Sequence, residues 1–354
     1  MKVLEEEICC EKTKVVVGRN AVEYLRNEVR GGKVVLIRQK AVDASRVVKA
    51  LDSEVHEIVL EGGEQDKDIE KVLDILNYMY EIGLQRNDYV VAVGGGTLTD
   101  LAGFVSSVYM RGVKLINIPT TLLGMVDAAL GGKNGVNFRG VKNIIGTFYQ
   151  PYTVIADLEF LDTLPQEEYL NGLAEIVKYG ISLDKNFFDY LYNHVDEVLK
   201  RENEVVEYIV YNSVKNKLNI VKEDPYELKG IRIVLNFGHT FGHAIEAASS
   251  FSVKHGKAVA LGMAIEAMFG VDIGITKGYC VDLILDVLHR YSLPTSLSDL
   301  GVEIDKKRIA KAVDRDKKRY RGSISMPILV DIGAWTRVEV PVEKAVGYLL
   351  KWIG

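Results

Sequence analysis

The stretch VVAVGGGTLTDLAG (residues 90–103) sets a short apolar run, three consecutive glycines and a helix-forming segment in immediate succession. A continuous apolar run bounded by glycine predicts a strand buried on both faces. The glycines let the backbone turn sharply and approach a ligand closely. The helix that follows opens with unpaired N–H groups and the positive end of its dipole, which is how a pyrophosphate is commonly held. The letters are not G-x-G-x-x-G, so the standard dinucleotide fingerprint is not predicted. A tight strand-to-helix turn with no ligand satisfies the same pattern.

Outward from this stretch the pattern repeats. KVVLI (33–37), EIVL (57–60), DYVVAV (88–93), KLINIP (114–119) and TVIADL (153–158) read as buried strands, with amphipathic stretches at 68–82 and 98–109 among them. Such alternation predicts a parallel sheet covered by helices. After about residue 161 helical periodicity takes over, at 167–181, 186–201, 204–222, 239–248, 256–273 and 281–291. ISMPILV and RVEV near the end predict a hairpin. The expected fold is an α/β, Rossmann-like N-terminal domain with a parallel sheet over residues 1–160. A mainly α-helical C-terminal domain is expected over 161–354.

Composition narrows the function. Lys and Arg total 44 against 49 for Asp and Glu, a net charge of −5, which argues against a general nucleic-acid binder. The cysteines, Cys9, Cys10 and Cys280, show no framework spacing, as in a reducing compartment. No apolar signal core opens the sequence, and no run approaches the roughly 20 apolar residues of a membrane span. A cytoplasmic protein that binds neither nucleic acid nor membrane is expected.

Polar residues then mark the chemistry. The segment 110–151 holds Arg111, Thr120, Thr121, Asp127, Lys133, Lys142 and Asn143 among repeated glycines, a composition suited to a polar, anionic ligand. GGEQDK (62–67) follows another strand and can add a backbone contact. In NFGHTFGHAIE (236–246), His239 and His243 share a helix face, while His255 follows in KHGKAVALGM. GLAEIVKYG (172–180) places Glu175 and Lys178 one turn apart. Two histidines and a glutamate that leave coordination positions open make a catalytic zinc set. Spacing alone does not say which of His239 and His243 is the ligand. There is no HExxH, so a zincin protease is not expected.

GGGTLTDLAGF, YMRGV, IPTTLLGMVDAALGGKNGVN, KNIIGTFYQP, LAEIVKYG, LNFGHTFGHAIE and HGKAVALGM, in this order, resemble the 3-dehydroquinate synthase family of sugar-phosphate cyclases. The resemblance spans most of the chain. It implies Glu175, His239 and His255 as ligands of Zn²⁺, with Co²⁺ as a substitute. It implies an NAD site lined by Glu64, Lys67, Gly94, Gly95, Gly96, Asp100, Thr120 and Thr121. Catalytic roles fall to Lys133, Glu227, Asn236, His243, Asp127 and Lys178. Substrate contacts fall to Arg111, Lys142, Asn143, Lys217, Arg232 and Lys317, with Arg111 reaching a neighbouring subunit in a homodimer. The implied activity is that of a phosphate-eliminating carbon–oxygen lyase that closes 3-deoxy-D-arabino-heptulosonate 7-phosphate to 3-dehydroquinate, reducing and reoxidising its NAD in each turnover. This is a step of the shikimate pathway of aromatic amino-acid biosynthesis.

Three departures stand out. Where the family has an acidic or amide residue for the adenosine ribose, this chain reads Arg38, Gln39 and Lys40, which leaves NADP open beside NAD. Thr99 precedes Asp100 in place of glycine, and Asn134 follows Lys133 in place of threonine. The segment KEDPYELKGIR is one residue longer than usual. The alternatives are another sugar-phosphate cyclase, or an NAD(P)- and metal-dependent polyol dehydrogenase of the same superfamily.

Overall fold

The computed structural model describes residues 1–8, 11–302, 308 and 322–353. Lys317, an expected substrate contact, lies outside the described residues, as do Cys9 and Cys10. Two compact units are distinguished: Met1–Tyr169 with Val206–Tyr226, and Leu170–Val205 with Glu227–Gly354. The second stretch of the first unit is most of a long helix that the sequence reading assigns to the C-terminal domain.

In the first unit β1 (Lys2–Ile8), β2 (Glu11–Gly18), β3 (Lys33–Gln39), β4 (Glu54–Leu60), β5 (Tyr89–Gly94), β6 (Lys114–Pro119) and β9 (Thr153–Asp157) build one sheet. Their order is β1-β2-β9-β6-β5-β3-β4. All pairings from β2 to β4 are parallel, and β1 runs antiparallel on the edge. Strand periodicity explains the apolar runs. Val34 and Leu36 join Val91, Val93, Ile116 and Ile118 in one apolar cluster, with Ala21, Leu25 and Val47. Val35 and Ile37 join Val90, Ala92 and Leu115 in another, with Ile75, Leu101 and Val105 of the helices α1 (Ile69–Glu81) and α2 (Gly96–Val108). A strand covered on both faces has no polar face to show.

The five strands expected from sequence are thus present and parallel. The order also fixes where a ligand belongs. The connection from β3 leads to β4 on one side, and the next returns to β5 on the other. Open α/β sheets bind ligands outside the carboxyl ends of strands at such a reversal. Gln39 ends β3 there, and Gly94 ends β5.

A second hairpin in this unit, β7 (Lys133–Phe138) and β8 (Val141–Phe148), occupies the glycine-rich segment to which the sequence reading gave no element. It turns through Arg139 and Gly140, at φ 48° and 76°.

The second unit holds α3 (Gln166–Leu183) from residue 170 onward, α4 (Lys185–Asn193), α5 (Val195–Leu199), α7 (His239–Ala248), α8 (His255–Asp272), α9 (Gly278–Arg290) and α10 (Val342–Ile353). Helix α6 (Asn203–Glu223) begins here and continues in the first unit. The expected closing hairpin is present as β10 (Ser323–Asp331) and β11 (Ala334–Pro341). Phe241 and Ile245 of α7 pack with Leu261, Ile265 and Phe269 of α8, Met326 and Ile328 of β10, and Leu349 of α10. The helix expected over 186–201 breaks at His194, whose ring stacks on Tyr190 at 4.1 Å with Nδ1 2.9 Å from the Tyr190 carbonyl oxygen. That contact ends α4 and starts α5.

Candidate active site

In the first unit, β5 delivers Gly94 to the sheet's ligand edge, and Gly95 caps α2 in extended conformation. Gly95 O accepts from Leu98 N and Thr99 N at 3.0 and 3.2 Å, which closes the first turn. A Cβ on Gly96 would sit 2.6 Å from Ala128 Cβ, so this position admits only glycine without movement. Thr120 N donates to Gly94 O at 3.0 Å, and Thr121 Oγ1 accepts from Gly124 N at 3.1 Å, tying the turn after β6 to the cradle. Gln39 lies between two glycine turns: a Cβ on Gly62 would come 2.6 Å from its Cδ, and one on Gly94 would come 3.4 Å from its Cβ. Arg38 is ion-paired to Glu57, and Lys40 to Glu61 at 2.7 Å.

Charged residues are paired around this cradle. Lys67 is buried and binds Asp100 on α2. Burial pushes the Asp100 carboxyl up to about 6, against the opposing pull of Lys67. Glu64 accepts from Asn137 Nδ2 at 2.7 Å and stands 3.9 Å from Lys142 Nζ. Asn137 also accepts from Asn143 N at 3.0 Å and donates its own N–H to Lys67 O at 2.8 Å. Asn137 thus joins the GGEQDK loop to the β7–β8 hairpin, a role with no sequence signal. Beyond β6, Asp127 sits in a π-helical turn, Gly124–Ala128, and Lys217 of α6 donates to its carbonyl at 2.5 Å and its carboxylate at 2.6 Å.

The second unit carries a separate cluster. Glu175 on α3 is fully buried. Its Oε2 accepts from Lys178, which also donates to Leu235 O at 2.6 Å. Its Oε1 lies 3.6 Å from His239 Nε2 and 3.6 Å from His255 Nε2. Donors each about 2.1 Å from a tetrahedral zinc lie about 3.4 Å apart, so this spacing fits an ion held among the three. The outer ring nitrogens are also engaged: His239 Nδ1 lies 3.2 Å from Phe237 O, and His255 Nδ1 lies 3.4 Å from Glu246 Oε1. Such contacts fix the tautomer and aim the inner nitrogen. Burial, then the Lys178 charge, holds His239 well below its ordinary value, which favours the neutral imidazole that a metal ion would need. Burial would lower His255 too, but the carboxylates of Glu175 and Glu246 outweigh it and carry it to about 10. A divalent cation would take the place of that proton.

His243, one turn along α7, is exposed and stands 3.9 Å from Glu246 Oε2. It groups with Glu246 and His255, whereas His239 groups with Glu175 and His255. The helices are tied together at this point, because Asn171 Oδ1 on α3 accepts from Gly256 N on α8 at 2.6 Å. Buried Arg232 Nε lies 3.7 Å from Glu227 Oε1, and Glu227 adopts a left-handed φ of 59°. Asn236 is exposed, as are Lys133 and Asn143 on the hairpin. Arg111 is exposed at φ 64°, next to Met110 at φ 48°. Sequence reasoning missed Asn171, Glu246 and Glu266. Glu246 had a signal, as the acid closing NFGHTFGHAIE.

Comparisons with known proteins agree with this chemistry. Family models described as the 3-dehydroquinate synthase N-terminal and C-terminal domains match residues 57–171 and 172–319. The chain is 47% identical over 348 residues to a 3-dehydroquinate synthase of Sulfurisphaera tokodaii, covering 98% of each chain. It is 45% identical to one of Saccharolobus solfataricus, again covering 98% of each. Among solved structures it is similar to a 2-epi-5-epi-valiolone synthase from Streptomyces hygroscopicus with NAD⁺ and Zn²⁺ bound, at 28% identity, a TM-score of 0.84 and 96% coverage of both chains. A 2-deoxy-scyllo-inosose synthase complexed with carbaglucose-6-phosphate, NAD⁺ and Co²⁺ gives 25% identity and a TM-score of 0.88, covering 99% of this chain and 100% of that one.

Proposed function

Since the chain belongs to the 3-dehydroquinate synthase family, we propose that it closes 3-deoxy-D-arabino-heptulosonate 7-phosphate to 3-dehydroquinate with loss of phosphate, as a phosphate-eliminating carbon–oxygen lyase. The observation that carries the reading is the convergence of His239 Nε2 and His255 Nε2 on one buried oxygen of Glu175. When bound, NAD supplies a hydride acceptor that becomes the donor later in the same turnover, and a divalent ion supplies a Lewis acid for the oxidised hydroxyl. Gly94–Gly96 with α2 hold the pyrophosphate end of the dinucleotide, flanked by Lys67, Asp100, Thr120 and Thr121. Glu175, His239 and His255 hold the metal.

Lys178 engages the second Glu175 oxygen, which leaves the first facing the two histidines. Lys217, Arg232 and Asn236 bind the substrate carboxylate and hydroxyls. Asp127 orients Lys217 through two hydrogen bonds. Lys133, Lys142, Asn143 and Lys317 meet the phosphate and polar chain. His243 and Glu227 move protons at the substrate. Arg111, at an exposed and strained tip, completes the site of a second copy, so the working form is a homodimer in the cytoplasm. Among the described residues no helix is long and apolar enough to cross a membrane.

The pairing of Arg38 with Glu57 and of Lys40 with Glu61 favours NAD over NADP, since both cations are neutralised where a 2′-phosphate would sit. A cyclase acting on a sugar phosphate without a carboxylate would have no use for the Lys217, Arg232 and Asn236 set. The test is phosphate release from the heptulosonate phosphate. Activity should vanish with a chelator, return with Zn²⁺ or Co²⁺, and require only trace NAD⁺. Release that persists in metal-free protein would overturn the reading.

A further inference from the structure

The two proposed histidine ligands come from different helices, and one face of α8 governs both. His255 opens α8, and Glu266 lies eleven residues further along. Eleven steps of about 100° return to within about 20° of the start, so both residues share a face about three turns apart. Glu266 is a fully buried carboxylate in the apolar run AVALGMAIEAMF. Its two oxygens take the two backbone amides on either side of His239. Gly238 N donates to Oε2 at 2.8 Å, and Thr240 N donates to Oε1 at 2.9 Å.

The rest of that face is shaped to the same turn. Gly238 adopts φ 82°, and a Cβ there would stand 2.6 Å from Met263 Cγ and 2.8 Å from Val259 O. A Cβ on Gly262 would strike the Gly238 carbonyl oxygen. The backbone from Gly238 to Thr240 is therefore held against α8, which fixes the direction in which the His239 side chain leaves the chain.

We propose that Glu266 is a positioning residue of the metal cluster, holding His239 in register with His255 and Glu175. The proposal rests on the reading of those three as metal ligands. It assigns Glu266 no contact with metal or substrate. Its carboxyl group fits this task because each oxygen meets one of the two amide N–H groups. An amide in its place would turn an NH₂ group toward one of the two N–H donors.

The test compares the full-length protein with Glu266→Gln, Glu266→Ala and Ile328→Val, the last trimming the same apolar cluster away from the clamp. Zn²⁺ dissociation constants come from competition with a chromophoric chelator, with visible spectra of the Co²⁺ forms and thermal melts in parallel. Glu266→Gln should weaken Zn²⁺ binding about 10- to 100-fold, as loss of an outer-sphere partner does, and alter the Co²⁺ spectrum. Glu266→Ala should weaken it further, and excess Zn²⁺ should restore most of kcat. Ile328→Val should lower the melting temperature and leave the Zn²⁺ constant and Co²⁺ spectrum unchanged. If Glu266→Ala does not fold, Glu266→Gln decides. A folded Glu266→Gln with wild-type Zn²⁺ affinity and spectrum would overturn the proposal. Wild-type protein that takes up no metal would instead overturn the ligand assignment, and this inference with it.

Discussion

His239 and His243 share one helix, yet their surroundings differ. His239 is nearly buried against Glu175, and His243 is exposed beside Glu246. His239→Ala is therefore expected to lose bound metal, measured by atomic absorption after desalting. His243→Ala should keep it and lose turnover. Equal metal loss from both would show that the ring environments do not divide the roles. Asp100 gives a pH signature. Its folded-state value, about 6, lies above the ordinary 3.8, so the native protein holds this proton more tightly than the unfolded chain. Its stabilising contribution is complete at the acid end and fades as pH rises through the folded value. Asp100→Asn should flatten that decline in urea denaturation between about pH 4 and about pH 7. An unchanged slope would mean that Lys67 already keeps the carboxylate ionised. At this scale the grouping of Glu175, His239 and His255 was legible only through the family resemblance, since spacing alone left His239 and His243 open. Glu266 was not, since a lone acid in an apolar helix becomes meaningful only once the amides it meets are known.

Elements differ in how plainly the sequence announces them. The inner strands β3, β5, β6 and β9 read as largely apolar runs because both of their faces are covered. The edge strand β1, KVLEEEI, breaks its apolar residues with three consecutive glutamates, and it was not assigned. The β7–β8 hairpin was hidden by glycines that suit a ligand loop as well as a strand: a Cβ on Gly135 would stand 3.1 Å from Ile145 O across the ladder. The turn before α2 makes a sharper claim. Gly96→Ala should push α2 away from Ala128, costing about 1–3 kcal/mol of stability by overpacking. It should also weaken NAD⁺ binding by about tenfold or more, a loss of about 1.4 kcal/mol for each factor of ten. Calorimetric titration checks this. Unaltered affinity in a destabilised variant would separate the glycine's packing role from ligand binding.

On the scale of the whole molecule, the net charge of −5 coexists with buried cations in each of the two units. Three of these, Lys67, Lys178 and Lys217, are buried and each is held to a carboxylate. In the proposed reaction such pairs would keep cations in place before a substrate arrives. The two-part architecture was legible as a change from alternating elements to helices. The return of Val206–Tyr226 to the first unit was not, because helical periodicity does not reveal which core a helix joins. Redox chemistry internal to a cyclisation separates this chain from net dehydrogenases of similar fold. The most direct measurement follows 3-dehydroquinate, phosphate and reduced cofactor together, using metal-replete protein, the heptulosonate phosphate and NAD⁺ far below substrate concentration. The expected result is dehydroquinate and phosphate in equal amounts, far exceeding the NAD⁺ supplied, with no accumulation of NADH. Substrate loss that stops once the supplied NAD⁺ has all become NADH, with no phosphate released, would instead mark a net dehydrogenase.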